Sequence, residues 1–385
     1  MLTGTRAEYG LLKPIIGRIQ ADKDLELCLL VTGAHLEDKF GYTYEEIKND
    51  GFHIDYEIPM QLHSDCPKGI LDSMALELQG ISDIFEKEKI DMLILLGDRY
   101  EILVAAMCAL INRVPIAHIH GGELTEGAID DGIRHAVTKL SALHFVSTDT
   151  YRQRVIQMGE LPEKVKNVGA LGIENIHKVT FLTKEELTEK FGVKWKKPII
   201  MVTFHPVTLE NNTSEMQINS LLNVLKKNSQ YSYVFTYANA DTDGAIINKS
   251  IEEFVEGQSD CYVFKSMGQV GYLSMLNNAV AVVGNSSSGI IEAPSFRIPT
   301  INIGDRQKGR VRAKSVYNCD STETEIELAM RHIFAKEFQD ICVRVRNPYE
   351  QNDTSKKILM YLKEYLYNGC SNKKTFYDIH NWKPE

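Results

Sequence analysis

Short apolar runs alternate with longer amphipathic segments along this chain, and that rhythm constrains its fold more than any other feature. The strand-like runs are 25–32, 92–96, 115–118, 144–147, 199–204, 233–237, 261–264, 279–283 and 300–303. Between them, 9–21, 70–88, 99–111, 131–141, 184–191, 215–226, 242–254 and 322–335 carry the spacing of helices packed by one face. Strand–helix alternation with short, continuously apolar strands predicts parallel sheets covered on both faces, an α/β fold. The rhythm runs twice, broken by a polar stretch from about Gly169 to Lys197. Two Rossmann-like domains facing a cleft follow, 1–170 and 171–353, with 354–385 a last helix and tail that return to the first domain. Ligands of such sheets gather outside the carboxyl ends of the strands. The first strand has only Met1-Leu2-Thr3 before Gly4, short for a central parallel strand.

At 385 residues there is room for two full cores. The net charge of −9 argues against nucleic acid as the main partner, because gripping a phosphate backbone needs a basic surface. Local arginines still allow a small anionic ligand. The chain has no apolar run of transmembrane length, so no membrane partner is expected, and Arg6 and Glu8 interrupt any leader pattern. Its 7 cysteines are scattered, with no CxxC spacing, which disfavours a disulfide framework or structural zinc and suits a reducing, cytoplasmic setting.

The motifs cluster where strands are expected to end. Gly284-Asn285-Ser286-Ser287-Ser288-Gly289 follows one apolar run, Glu292 comes soon after, and Gly304-Asp305-Arg306 follows the next run. Small residues let backbone approach a ligand, and N–H groups at a helix start favour an anion. Hydroxyls and an arginine suit phosphate; a carboxylate suits ribose. The stretch reads as a grip for a nucleoside diphosphate without a Walker lysine or a GxGxxG turn. Gly4-Thr5-Arg6 forms a comparable turn, where Arg6 can hold phosphate or simply be solvated. Asp98, in Gly97-Asp98-Arg99, fits a helix cap as well as it fits catalysis.

His118-Ile119-His120-Gly121-Gly122-Glu123 and Asp130-Asp131-Gly132-Ile133-Arg134-His135 bring imidazoles and carboxylates close in sequence. No further metal ligand stands at a familiar spacing, so general acid–base work is the stronger reading and no metal is assigned. Asp130 and Asp131 also suit a helix cap. His205, before Pro206, is biased to an extended backbone that presents its ring at a strand end. Asn239 and Asp241 end the next strand with groups that can orient a sugar or cap a helix.

Taken together, these motifs resemble the hydrolysing UDP-N-acetylglucosamine 2-epimerases of sialic and legionaminic acid biosynthesis. The resemblance rests on GTRAEYG at 4–10, GDRYE at 97–101, HIHGGE at 118–123, DDGIRHAVTKLS at 130–141, FHPVT at 204–208, GNSSSGIIE at 284–292 and GDRQKGR at 304–310. It implies the GT-B-like arrangement of two Rossmann-like domains and a homodimer or homotetramer. It also implies elimination of the nucleoside diphosphate from C1 as a base takes the C2 proton, then hydration of the glycal with inversion. That chemistry calls for no cofactor. By motif, Asp98, Asp130 and His205 match catalytic positions, Arg6, Ser286, Ser287, Glu292 and Arg306 match nucleotide-binding ones, and Asn239 and Asp241 lie near the sugar.

Two departures matter. His120 stands where many relatives carry glutamate, so the base is either this imidazole or the carboxylate of Glu123. The loop 124–129 is also one residue longer than in those relatives. Non-hydrolysing epimerases carry glutamine before the histidine of the second-strand motif; here Ala34 precedes His35, which favours the hydrolysing branch. The expected substrate is UDP-N-acetylglucosamine, giving N-acetylmannosamine and UDP. The alternative is the same chemistry on a UDP- or GDP-linked 2,4-diacetamido-2,4,6-trideoxyglucose. A GT-B glycosyltransferase and a silent nucleotide-sugar sensor are the readings from other classes.

Overall fold

The computed structural model describes every residue except 65, 127–128, 207–212, 239–243, 370–372 and 380–385. Contacts divide the chain into two compact units. The first comprises 1–123, 130–174 and 351–385; the second comprises 124–129 and 175–350.

In the first unit the strands are β1 (Leu2–Thr3), β2 (Leu30–Thr32), β3 (Tyr56–Ile58), β4 (Leu93–Leu96), β5 (Ile116–Ile119), β6 (Leu143–Val146) and β7 (Val165–Asn167). All pairings are parallel, in ladders ordered β1-β2-β3 and β4-β5-β6-β7. Two-residue β1 pairs with β2 and packs beside β4 with no ladder between those two, so the order runs outward both ways from this seam. The strands bury both faces. Leu93 and Leu95 enter one core cluster with Leu2, Leu30 and Ile102, while Ile94 and Leu96 enter the other with Val31, Ile119 and Phe145. Burying each such side chain contributes roughly 1.5–3 kcal/mol before conformational entropy is counted.

Helix Thr354–Tyr367 belongs to this unit and lies against helix Arg6–Gln20. Its start is fixed by Ser355, whose N–H and hydroxyl both donate to buried Glu174 (2.6 and 2.7 Å). The Thr354 hydroxyl donates to the Val168 carbonyl, and Lys363 reaches Asp22 and Asp24.

The second unit holds one six-stranded parallel sheet. Its strands are β8 (Ile199–Thr203), β9 (Ser232–Thr236), β10 (Cys261–Phe264), β11 (Ala281–Gly284), β12 (Thr300–Ile303) and β13 (Val316–Cys319), in the order β10-β9-β8-β11-β12-β13. This is the Rossmann order, with the chain reversing its direction of travel between β8 and β11. Ile200, Val202 and Phe204 pack with Phe235, Val283 and Ile301 in its core.

The structure differs from the sequence expectations mainly at sheet edges. Strands β3, β7 and β13 are edge strands with polar residues among their few positions, so no apolar run announced them. The run 25–32 pairs only over β2, because β3 offers partners only from Tyr56 onward and the Leu29 N–H is taken by the Asp55 carboxylate (2.7 Å). Helices Tyr44–Asn49, Asp149–Gln157, Leu171–Lys178, Gly268–Asn278 and Lys336–Val343 were also not anticipated.

Candidate active site

The first unit places its motifs at the seam between β1 and β4 and at the end of β5. Thr5 caps helix Arg6–Gln20, and Glu8 folds back to accept from the Gly4 and Thr5 N–H groups (2.8 and 3.3 Å). Burial, with Glu101 nearby, pushes the Glu8 carboxyl up to about 8. Glu101 itself accepts from Arg99 Nε (3.0 Å), and a Cβ on Gly4 would sit 3.1 Å from it, so the GTR and GDR turns rest on one another. Arg6 is partly exposed and pairs with Glu46 at 2.8 Å.

Arg134 is the hub of this cluster. It is 2% exposed, and its guanidinium bonds the Asp98 carboxylate, Asp131 Oδ1 (3.1 Å) and the Glu123 carbonyl (2.9 Å). One buried cation therefore joins the ends of β4 and β5 to the start of helix Ile129–Leu140. Asp130 lies, partly buried, in the first turn of that helix. His118 serves the same scaffold: its Nε2 donates to the Gly97 carbonyl (2.8 Å), so its Nδ1 accepts from Thr138 (3.2 Å). Burial lowers its pKa to about 3, which keeps this doubly bonded ring neutral.

After β5 the chain turns sharply. His120 takes a left-handed backbone (φ 68°), and its N–H donates to the Phe145 carbonyl at 2.8 Å. Gly122 follows at φ 77°, where a Cβ would meet the Tyr151 carbonyl oxygen at 2.7 Å. That double bend carries Glu123 back beneath His120, with Glu123 Oε1 at 3.6 Å from His120 Nδ1. The Ser147 hydroxyl, just past β6, donates to the same oxygen at 2.9 Å.

In the second unit the motifs gather where β8 and β11 part. His205 is 7% exposed, and Asn285 clamps its main chain: His205 N–H donates to Asn285 Oδ1, and Asn285 Nδ2 donates to the His205 carbonyl, both 2.7 Å. Arg306 and Gln307 donate to the Asn285 carbonyl (3.2 and 2.9 Å). Burial, with the Arg306 guanidinium close by, lowers the His205 pKa to about 3 and leaves a neutral imidazole. His205, Asn285 and Arg306 are thus one assembly.

Ser286 and Ser287 lead into a helix of one turn, Ser288–Ile291, which Ala293-Pro294 converts to a tighter turn. The helix start here spans a single turn, so any phosphate grip would rest on individual groups. Glu292 accepts from Ser288, which in turn accepts from the Tyr272 hydroxyl at 2.7 Å. Burial raises the Glu292 carboxyl, while the Ser288 hydroxyl opposes the rise. Arg310, in the GDRQKGR motif, donates to the Leu124 carbonyl and Thr125 hydroxyl (2.9 and 3.2 Å). Gly309 (φ 80°) leaves space there that a Cβ would deny to Leu124. Asn239 and Asp241 lie outside the described residues.

Sequence reasoning missed Arg134, Ser147, Tyr272 and the clamp role of Asn285. The Asp131–Arg134 spacing, one helical turn, signalled the first. The others depend on which strands become neighbours.

The chain matches the family model described as UDP-N-acetylglucosamine 2-epimerase over residues 17–363. It is 42% identical to the GDP/UDP-N,N'-diacetylbacillosamine 2-epimerase (hydrolyzing) of Campylobacter jejuni, covering 88% of each chain. Polysialic acid biosynthesis protein P7 of Escherichia coli is 36% identical, over 98% of this chain and 96% of that one. The UDP-N,N'-diacetylbacillosamine 2-epimerase (hydrolyzing) of Legionella pneumophila is 35% identical, over 98% of both. Among solved structures, that of UDP-GlcNAc 2-epimerase from Neisseria meningitidis bound to UDP-GlcNAc has a TM-score of 0.80 at 18% identity, covering 94% of this chain and 98% of that one. Among the described residues no helix is long and apolar enough to cross a membrane.

Proposed function

The chain belongs to the UDP-N-acetylglucosamine 2-epimerase family, in its hydrolysing branch, and from that premise we propose that it acts on a UDP- or GDP-linked N,N'-diacetylbacillosamine. This sugar is 2,4-diacetamido-2,4,6-trideoxyglucose, and the products would be the free sugar inverted at C2 and the nucleoside diphosphate. The observation that carries the substrate is the 42% identity to a relative named for it, extending over 88% of both chains. UDP-N-acetylglucosamine, expected from the motifs, becomes the second reading; the relative named for polysialic acid biosynthesis keeps it in view.

In the proposed mechanism a base on the His120–Glu123 turn takes the C2 proton. The C2–H electrons form the C1=C2 bond, and the C1–O bond breaks with its pair going to the departing diphosphate. Water then adds, hydroxyl to C1 and proton to the opposite face of C2. Asp98, Asp130 and His205 would handle these protons. Arg6, Ser286, Ser287 and Arg306 would hold the diphosphate, Glu292 the ribose, and Asn239 and Asp241 the sugar. A cytoplasmic homo-oligomer is part of the same reading, with sedimentation of the purified protein as its check.

The test is incubation with UDP-N,N'-diacetylbacillosamine, its GDP analogue and UDP-N-acetylglucosamine, in deuterium oxide, with product identified by NMR. We expect a C2-inverted free sugar carrying deuterium at C2 from the diacetamido substrates. Turnover of UDP-N-acetylglucosamine alone would restore the second reading. Product formed only with an added acceptor would instead indicate a glycosyltransferase.

A further inference from the structure

We propose that His120 is the group that removes the C2 proton, and that Glu123, itself held by Ser147, is the carboxylate that orients its imidazole. The inference rests on the 2-epimerase reading above and names the base within it.

The geometry separates the two candidates. Glu123 has a side chain only 4% exposed, whereas that of His120 is 12% exposed. One Glu123 oxygen is shared between the Ser147 hydroxyl, at 2.9 Å, and His120 Nδ1, at 3.6 Å. The carbonyl of the same residue accepts from buried Arg134. Ser147 thus holds the Glu123 carboxylate and Arg134 its main chain, with His120 Nδ1 beside the same carboxylate oxygen. His120 has the complementary arrangement. With a proton on Nδ1 facing the carboxylate, the lone pair falls on Nε2, a nitrogen that is itself buried in this structure. An opposed carboxylate also stabilises the imidazolium formed on proton abstraction, as in other histidine–carboxylate pairs.

The backbone supports the assignment. A non-glycine residue in the left-handed region is strained, and such strain persists where neighbours overdetermine it. Here the His120 N–H bond to the Phe145 carbonyl and the Gly121-Gly122 turn enforce the conformation. Histidine, like asparagine and aspartate, enters this region more readily than most side chains, so the turn holds the ring in place without a large steric cost.

Other charged groups surround the turn. Asp98 follows β4; Asp131, Arg134 and His135 come from helix Ile129–Leu140; Arg154, from helix Asp149–Gln157, donates to the Gly122 carbonyl. His118 below is neutral and committed to Gly97 and Thr138. Asp98 and Asp131 are each paired with Arg134, Asp130 lies in the first turn of the same helix, and Glu123 Oε1 lies 3.6 Å from His120 Nδ1.

The test combines kinetics with a titration that needs no turnover. With UDP-N,N'-diacetylbacillosamine, His120→Gln should lower kcat roughly a thousandfold at a KM within about threefold of the parent. Glu123→Gln should lower kcat by about a hundredfold and move the acid limb of kcat/KM to lower pH, and Ser147→Ala should do the same more weakly. His120→Glu should recover much of the activity lost in His120→Gln, with its acid limb in the carboxylate range. In parallel, the His120 ring signal, identified by its loss in His120→Gln, is titrated by NMR in parent and Glu123→Gln proteins. A fall in its pKa in Glu123→Gln supports the pair; an unchanged titration overturns it. Activity surviving in His120→Gln but not in Glu123→Gln would make Glu123 the base and overturn the assignment. If the parent turns over no nucleotide sugar, the enzymatic reading fails and the His120 titration alone decides the pair.

Discussion

At the scale of single residues, the second unit shows how a carboxylate is aimed by hydroxyls. Thr236 and Thr203 share a hydrogen bond of 2.5 Å, Tyr272 bonds Thr203 and donates to Ser288, and Ser288 donates to Glu292. Glu292 is held at the end of a relay that runs back to the ends of β8 and β9. If Glu292 receives the ribose hydroxyls, removing the Tyr272 hydroxyl should loosen that reception without touching the reacting carbons. Losing one neutral hydrogen bond in such a chain costs about 1 kcal/mol. We expect Tyr272→Phe to weaken UDP binding by roughly five- to tenfold in calorimetry, with kcat little changed. The preference for UDP over 2′-deoxy-UDP should shrink in the same variant. An unaltered preference would show that the relay serves packing only.

At the scale of elements, the switch between β8 and β11 depends on a single missing Cβ. Gly284 ends β11 at φ 140°, paired with Thr203, and a Cβ there would lie 1.9 Å from the Thr203 carbonyl oxygen. The neighbour is backbone in a central ladder, so it cannot yield without moving a strand. Gly97 also has positive φ (85°), but nothing lies within 4 Å of its Cβ position. Gly284→Ala should therefore cost more than about 3 kcal/mol and lower the melting temperature sharply. Gly97→Ala should cost only the roughly 1–2 kcal/mol of a left-handed alanine. Equal losses in the two melting curves would contradict the steric argument.

The same scale explains what the sequence made legible. Central strands such as β4, β8 and β12 are buried on both faces, so their residues must be continuously apolar and the runs are visible. Edge strands β3, β7 and β13 face partners on one side only, tolerate Glu57, Lys166 and Asn318, and were invisible. Asp98, His120, Glu123, His205 and Arg306 were legible because each follows an apolar run at the edge where ligands collect. Arg134 was legible only as a helical neighbour of Asp131, because its bond to Asp98, 36 positions away, crosses to a neighbouring strand. Tyr272 and Ser147 lack any local signal at all; only strand order makes them neighbours of Glu292 and Glu123.

At the scale of the whole molecule, buried titratable groups set opposing limits on stability. Burial lowers the pKa of His35 to about 4 and of His118 and His205 to about 3. As pH falls below about 6.5, the unfolded chain takes up these protons and the fold does not, so stability is lost toward acid. The carboxyls beneath the GTR and GDR turns act in the other direction. Glu77, fully buried on helix Pro67–Lys87, has neither oxygen hydrogen-bonded, and burial, with Glu101 and Glu8 nearby, holds its pKa well above the usual value. Below its unfolded pKa, near 4.5, it is protonated in both states and carries no penalty. As pH rises, the unfolded chain releases the proton while the fold retains it, and stability is lost toward base. Glutamine mimics the protonated carboxyl in shape and charge, so Glu77→Gln should be close to neutral at pH ~5 and stabilising by about 1–3 kcal/mol at pH ~8. Melting curves of parent and variant across that range should therefore diverge as pH increases. Parallel curves would mean that Glu77 ionises in the fold with a compensating partner, and the cluster under the two turns would then be an ion-paired floor, not a proton-holding one.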